Sequence, residues 1–570
     1  MNKKKYSFAG VLFALLTILT SCKDVRTGNK YAYLYKDLPF EMPVLTPPVF
    51  PDYEVRIADF GGIGDGIHLN TSAFSKAIEH LSQKGGGRLI IPSGVWFTGP
   101  VVLKSNINLH LEDRAIILFS PDKDLYPIIE TSFEGLDTYR CQSPVSGTDL
   151  ENIAITGSGA IDGNGHFWRP LKKQKVAESE WKQMTSHGGA FKRDDYWMPS
   201  AQYLHGDTIS DMNVPRHFKT KEDWMTVRDF LRPVMVSLRN CKNVYLQGVI
   251  FQNSPAWNIH PLMCENLIMD GVLVRNPSYA QNGDGLDLES CLNSIIVNST
   301  FDVGDDGICI KSGKDEDGRK RARPCENVIV DNCTVFKGHG GFVVGSEMSG
   351  GVRNISVSNC QFLGTDVGLR FKSRRGRGGI VENIYISDIS MFDIATEPLL
   401  FNLYYGGKSA VETLEEGGME TEQEIIPPVD ETTPTFRNIF IRNIICSNAR
   451  RAMYFYGLPE HPINNVNIEN VVVHSGIGAE LMESENITMK DIQIYPRQGP
   501  ALLLRNVKNV TVNGFETHGN LETIFEIDGA GTENIQISSI YDPSKVKAGN
   551  NMKKEVEQQS DQYNKIILSK

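Results

Sequence analysis

From Asn243 to Asn534 the chain repeats one phrase: an asparagine, a short run of alternating apolar and polar residues, then a small or polar corner. The phrase reads NVYLQGVIFQNS from Asn243, NLIMDGVLVRNP from Asn266 and NSIIVNSTFDVG from Asn293. It returns at Asn327, Asn354, Asn383, Asn438, Asn465, Asn486, Asn509 and Asn534. Intervals run from 21 to 34 residues, with one gap of 55. Alternation with a period of two predicts strands with one buried face. Self-similarity at this spacing predicts a stacked solenoid. Two or three short strands per repeat, with no helical pattern between them, select a parallel β-helix. Asparagine suits the corners because it tolerates left-handed backbone and can ladder with its neighbours. A β-sandwich or propeller is the competing all-β reading, but propeller blades of about 40–50 residues are too long for most of these intervals.

Residues 55–118 read as an entry cap. Ala73, Phe74, Ala77, Ile78 and Leu81 keep helical spacing, and Gly85-Gly86-Gly87 ends that helix. A helix over the open end of a solenoid would cover its core. The repeat breaks at 164–232, which holds Trp168, Trp181, Trp197 and Trp224 and has helical character around 221–231. Large insertions on solenoids often lie on the binding face. These indoles either stack on sugar rings or pack the insertion's own core. A second break at 408–435 carries eight acids against Lys408 and reads as a solvated loop. From Lys547 the chain is polar and reads as a frayed tail, apart from Ile566-Leu568.

The chain has 570 residues and a net charge of −11, so no global attraction to nucleic acid is expected, and any polyanion must meet a local basic patch. Solenoids grow by stacking, so one elongated domain over 55–546 accommodates this length. Lys3-Lys4-Lys5, an apolar run from Phe8 to Leu19 and Leu19-Thr20-Ser21-Cys22 form a targeting segment. It resembles a bacterial lipoprotein signal, which implies cleavage before Cys22, lipid on its thiol and a place in the cell envelope, facing unspecified. An ordinary secretory signal is the competing reading. Residues 23–54, with Pro43, Pro47, Pro48 and Pro51, read as a tether. Nine further cysteines show no close metal-ligand spacing and read mostly as small buried hydrophobes, with a Cys325–Cys333 bridge as an alternative for that pair.

Four motifs on successive segments carry chemistry: Asn282-Gly283-Asp284, Gly304-Asp305-Asp306, Gly338-His339-Gly340 and Arg370-Phe371-Lys372. Equivalent positions on neighbouring coils of a β-helix stack about 4.7–4.9 Å apart. Asp284 and Asp305 lie one coil apart on this reading, so with Asp306 three carboxylates converge at one corner. Like charges at that distance raise at least one pKa. A protonated carboxyl beside an ionised one is what glycoside hydrolysis requires. His339 could hold a proton in the network. Arg370 and Lys372 share a strand face and could grip a sugar carboxylate.

These motifs resemble those of glycoside hydrolase family 28, the polygalacturonases, with their N-T-D, G-D-D, G-H-G and R-I-K signatures; Gly283 and Phe371 are the departures. The resemblance, running from Ala58 to Asn402, implies a right-handed parallel β-helix that hydrolyses α-1,4-galacturonosidic bonds in pectin with inversion, without cofactor or metal. It implies Asp305 as general acid, Asp284 and Asp306 as activators of water, Arg370 and Lys372 as ligands of a galacturonate carboxylate, and Asn282 as a support. A monomer acting on galacturonate-containing polysaccharide or oligosaccharide is expected. Walls at 164–232 and 408–435, with Glu347 and Arg374-Arg375-Arg377 shaping them, would restrict it to chain ends. Two readings compete: a pectate lyase working by Ca²⁺-dependent β-elimination with Arg370 as base, and a non-catalytic carbohydrate-binding β-helix.

Overall fold

The computed structural model describes residues 29–406 and 426–570. They form a right-handed parallel β-helix in which three sheets run along one axis. The first sheet stacks Gly87–Ile91, Ile107–Leu111, Glu151–Gly157, Lys242–Gln247, Glu265–Asp270, Leu292–Val297 and Cys325–Asp331, then continues in longer strands. The second includes Ile250–Gln252, Leu273–Arg275, Thr300–Val303 and Thr334–Lys337. The third carries Ile259–Leu262, Leu286–Glu289, Asp306–Lys311, Gly340–Gly345, Leu369–Lys372 and Leu399–Asn402. Inward residues such as Leu288, Ile310, Val344, Phe371 and Phe401 make a continuous apolar core. Outward residues of the third sheet therefore lie in columns along its face.

The asparagine corners hold this register. All eleven predicted asparagines sit in left-handed backbone, with φ between +53° and +59°. Their side-chain amides bond in series: Asn266 to Asn243, Asn293 to Asn266, Asn327 to Asn293 and Asn354 to Asn327, at 3.1–3.2 Å. Asn106 and Asn152 extend the ladder toward the N-terminus. From Asn152 to Asn438 each amide donates and accepts on the same column, and at Asn486 the donor turns to Asn464 instead of Asn465.

The helix Thr71–Gln83 caps the N-terminal end and buries the five apolar residues that its spacing singled out. Other segments differ from their sequence reading. From Asn29 the expected tether is docked on the outer face of the first sheet. Tyr31, Leu34 and Leu45 pack on Ile268, Ile295, Val297 and Ile329, and Tyr31 Oη donates to Asp270 at 3.0 Å. The polar tail forms a hairpin of Lys553–Gln558 and Asn564–Ser569, whose second strand pairs antiparallel with Glu533–Ile540 and buries Ile566 and Leu568. Cys325 and Cys333 are unbridged, and all nine described cysteines are free and buried. Cys22 and most of the acidic loop, 407–425, lie outside the described residues.

The insertion at 164–232 is a small antiparallel sheet with short helices. Its four tryptophans are 1–7% exposed, so they pack that unit's own core instead of stacking on sugars. A further interruption, the hairpin Ile128–Phe133/Leu136–Cys141, was not visible in the repeat pattern.

Asn327→Ala removes both amide bonds of one rung and places a β-carbon at φ +58°. We expect a loss of about 1–3 kcal/mol, with Asn327→Gly regaining the backbone part. Chemical denaturation measures it; an unchanged midpoint in the alanine variant would remove the ladder's role.

Candidate active site

Asp284, Asp305, Asp306 and His339 lie at the N-terminal ends of third-sheet strands, and Arg370 and Lys372 reach them from within the strand Leu369–Lys372. Asp306 pairs in register with Gly340, and Leu286 with Ile308, so Asp284 stacks on Asp306. This corrects the expected pairing of Asp284 with Asp305. The loop 276–283 between the sheets is longer than its successor, and residue counting along the chain misses that difference. Asp305 stacks instead with His339, whose backbone N–H donates to the Asp305 carbonyl at 3.0 Å.

Local sequence explains the two departures from the family motif. A β-carbon on Gly283 would lie 2.7 Å from both Ala280 Cβ and Ala280 O, so this loop admits no threonine there. Phe371 is inward and stacks on Phe401 of the next coil, with centroids 4.4 Å apart. Asn282 accepts from Arg232 Nη2 at 2.8 Å, and Arg232 also bonds the carbonyls of Pro255 and Gln281. The insertion thus holds the loop that delivers Asp284.

One oxygen from each of Asp284, Asp305 and Asp306 lies within 4.8 Å of the others. Their environments differ. Asp306 is 1% exposed and is bonded by Lys372 Nζ at 2.6 Å and Arg370 Nη1 at 3.3 Å. Burial would raise its pKa, but Lys372 and then Arg370 outweigh this and hold the carboxyl below its usual range. Arg370 and Lys372 therefore serve a carboxylate of the protein itself, a role sequence reading did not assign them. Asp305 is 20% exposed, and its Oδ1 lies 3.1 Å from His339 Nδ1. Burial there is outweighed by the charge and hydrogen bond of His339, with Lys372 and Arg370 adding, so Asp305 also sits below the usual carboxylate range. His339 is raised in turn: Asp305, then Asp366, outweigh the effect of burial. Asp284 is 3% exposed and its Oδ1 has no hydrogen-bond partner among the described residues. Burial, then the charges of Asp287 and Asp305, push it well up. Asp287, behind it, is pushed up to about 8 by burial despite Lys311, whose Nζ is 3.4 Å away.

So the expected raised carboxyl exists, but it is Asp284 and not Asp305. The shifts of Asp305 and His339 are opposite, as in an ion pair, and the two groups titrate as a pair. The three carboxylates also have the geometry of a divalent-cation site, although Asp306 already has two cations as partners.

A cavity of about 710 Å³ opens over this floor. Lys172 and Lys175 of the insertion, with Lys311, Lys314, Arg374 and Arg377, make its walls basic on a chain whose net charge is −11. Trp257 and Tyr405 supply aromatic surface; Lys372 Nζ lies 4.9 Å from the Tyr405 ring centre. The unforeseen hairpin reaches the cavity wall at Glu134. The Gly135 carbonyl accepts from Lys314 N–H at 3.1 Å, and Glu134 lies 3.7 Å from Lys314 Nζ and accepts from Asn213 at 2.7 Å. Its tip thus joins the insertion to the turn beyond the strand Asp306–Lys311. Glu347 sits among Lys311, at 2.9 Å, and Arg377, at 3.8 Å. Arg375 is turned to Glu460.

Residues 220–492 match the family model of glycosyl hydrolases family 28. The exo-poly-alpha-D-galacturonosidase of Dickeya chrysanthemi is 30% identical over 367 residues, 62% of this chain and 57% of that protein. Among solved structures, the hyperthermoactive exopolygalacturonase from Thermotoga maritima is 32% identical with a TM-score of 0.60, over 82% of this chain and 94% of that one. The family 28 exopolygalacturonase of Yersinia enterocolitica is 25% identical with a TM-score of 0.65, over 81% and 79%.

The ion pairs of Asp306 give a sign to acid stability. A depressed carboxyl pKa contributes stability above the unfolded value, and that stability is lost as pH falls through the folded value. Lys372→Met should raise the pH at which Asp306 titrates and cost about 3–5 kcal/mol near neutrality, as for a broken buried pair. It should also flatten the acid-side decline. Denaturation midpoints measured from neutral to acidic pH check this; parallel curves for the two proteins would contradict it.

Proposed function

As a member of glycosyl hydrolases family 28, the chain is a glycoside hydrolase of the polygalacturonase type, and we propose that its pocket takes galacturonan by a chain end and hydrolyses the terminal α-1,4-galacturonosidic linkage. The observation that carries this is a carboxylate floor whose groups are shifted in opposite directions beneath basic walls. Basic walls suit a polyuronate. In this reading the Glu134–Lys314 contact at the cavity wall obstructs passage of a polymer along the groove.

In the proposed mechanism, the Asp305–His339 pair is the proton donor. Asp305 passes a proton to the glycosidic oxygen as the C1–O bond breaks, and the imidazole holds that proton in reserve. Asp306, kept ionised by Lys372 and Arg370, accepts a proton from the water that attacks C1. Asp284, whose pKa burial raises, orients that water. Lys372 faces the cavity and can meet a substrate carboxylate while retaining Asp306. The shortest oxygen separations, within 4.8 Å, fall below the roughly 6.5–9.5 Å between carboxyls usual for inversion. Inversion is proposed from family membership, and the product anomer reads it directly.

Incubation with a long oligogalacturonide should release galacturonic acid alone, appearing first as the β-anomer by proton NMR. A ladder of mid-sized fragments would overturn chain-end action, and an initial α-anomer would overturn inversion. An unsaturated, ultraviolet-absorbing product would replace the hydrolase reading with the lyase.

Asp305→Asn keeps the shape of the acid and removes its proton. We expect kcat to fall by about 10²–10⁴-fold with substrate affinity largely retained; near-normal turnover would reassign the donor to Asp284.

A further inference from the structure

Third-sheet register places Asp305, His339 and Asp366 at equivalent positions of three successive coils. Asp306 pairs with Gly340 and Phe342 with Leu369, so His339 lies opposite both acids. Asp366 N–H donates to the Gly338 carbonyl at 2.9 Å, and the Asp366 carbonyl accepts from Thr396 N–H at 2.8 Å, which locks it into this column. The imidazole is thereby flanked on both nitrogens: Nδ1 is 3.1 Å from Asp305 Oδ1 and Nε2 is 4.0 Å from Asp366 Oδ2. The four motifs gave Asp366 no role.

We propose that Asp366 is a positioning residue, acting through His339 and touching no substrate: its carboxylate fixes the ring orientation and keeps the imidazole charged beside Asp305. The proposal rests on the hydrolase reading of this site. Other charged groups face the same column. Asp306 and Asp305 lie on the preceding coil, and Arg370 Nη1 is 3.4 Å from the His339 carbonyl. Lys372 acts on Asp305, and Lys175, from the insertion, on Asp366. Arg370, Lys372 and Lys175 are cations that oppose a charged imidazole, so two flanking carboxylates have a purpose that one would not serve alone. Burial raises the Asp366 pKa, with His339 and Arg370 opposing; above that value Asp366 is ionised and can act.

The sign follows. A carboxylate at Nε2 raises the imidazole pKa, so its removal lowers it, and the pair loses its proton at lower pH. The test uses the full chain with isotope-labelled histidine, the His339 signal assigned by its loss in His339→Gln. In Asp366→Asn the His339 titration should move acidward by about 0.5–1 pH unit, the lower end of what one charge at this distance produces. The basic limb of kcat/KM should move with it, and Asp366→Glu should restore both. Thermal melting confirms that the variants fold. An unmoved His339 titration overturns the proposal, whatever happens to turnover, because a merely structural Asp366 would lower activity without shifting that titration. The ring titration needs no substrate, so an inactive wild-type chain would overturn the hydrolase reading while still deciding whether Asp366 governs His339.

Discussion

The amide-to-amide hydrogen bond between asparagines on neighbouring coils is the constraint from which the rest follows. A strand that slips by one residue turns every side chain to the opposite face. The buried apolar face forbids such a slip, and the corner asparagines fix where each coil turns. Left-handed backbone at each corner turns the chain sharply, and the amide column holds each turn over the last. Asp284 over Asp306, and Asp305 over His339, exist as neighbours only because every coil returns to the same phase.

Given that register, the site is a problem in placing charge. Three carboxylates at close range repel, and the fold resolves this differently for each. Asp306 has two cations, Asp305 has an imidazole, and Asp284 has neither and is pushed upward. The separation of the three carboxyls thus comes from which outward column each neighbour occupies. Burial alone would raise all three.

The sequence disclosed what is local. Each corner asparagine begins an alternating run, so it marks its own position without reference to distant residues. The helix Thr71–Gln83 was visible for the same reason. What depends on loop length was not visible: the loop before Asp284 shifts its partner from Asp305 to Asp306. Segments that pack on finished surfaces were also hidden. The stretch from Asn29 to Leu45 looks unstructured because its partners, Ile268 and Ile295, are outward residues of a sheet formed far along the chain. The Glu134-Gly135 turn lacks the Asn-Gly signature of a tight hairpin. Lys311, Trp257 and Tyr405 carry no motif, and only the folded coils show that they face the cavity.

The C-terminal hairpin has a consequence for the molecule among its own copies. The last coil of a parallel β-helix exposes a row of unpaired backbone groups, a template on which a second molecule could extend the stack into a filament. Here the strand Asn564–Ser569 occupies that row in the first sheet and runs against the direction of the coils, so propagation there has no parallel strand to copy. Beyond it, Lys553–Gln558 is exposed at every position and carries Lys553, Lys554, Glu555 and Glu557. With the Thr71–Gln83 helix at the other end, a chain built from a self-complementary repeat is left with unlike surfaces at its two ends.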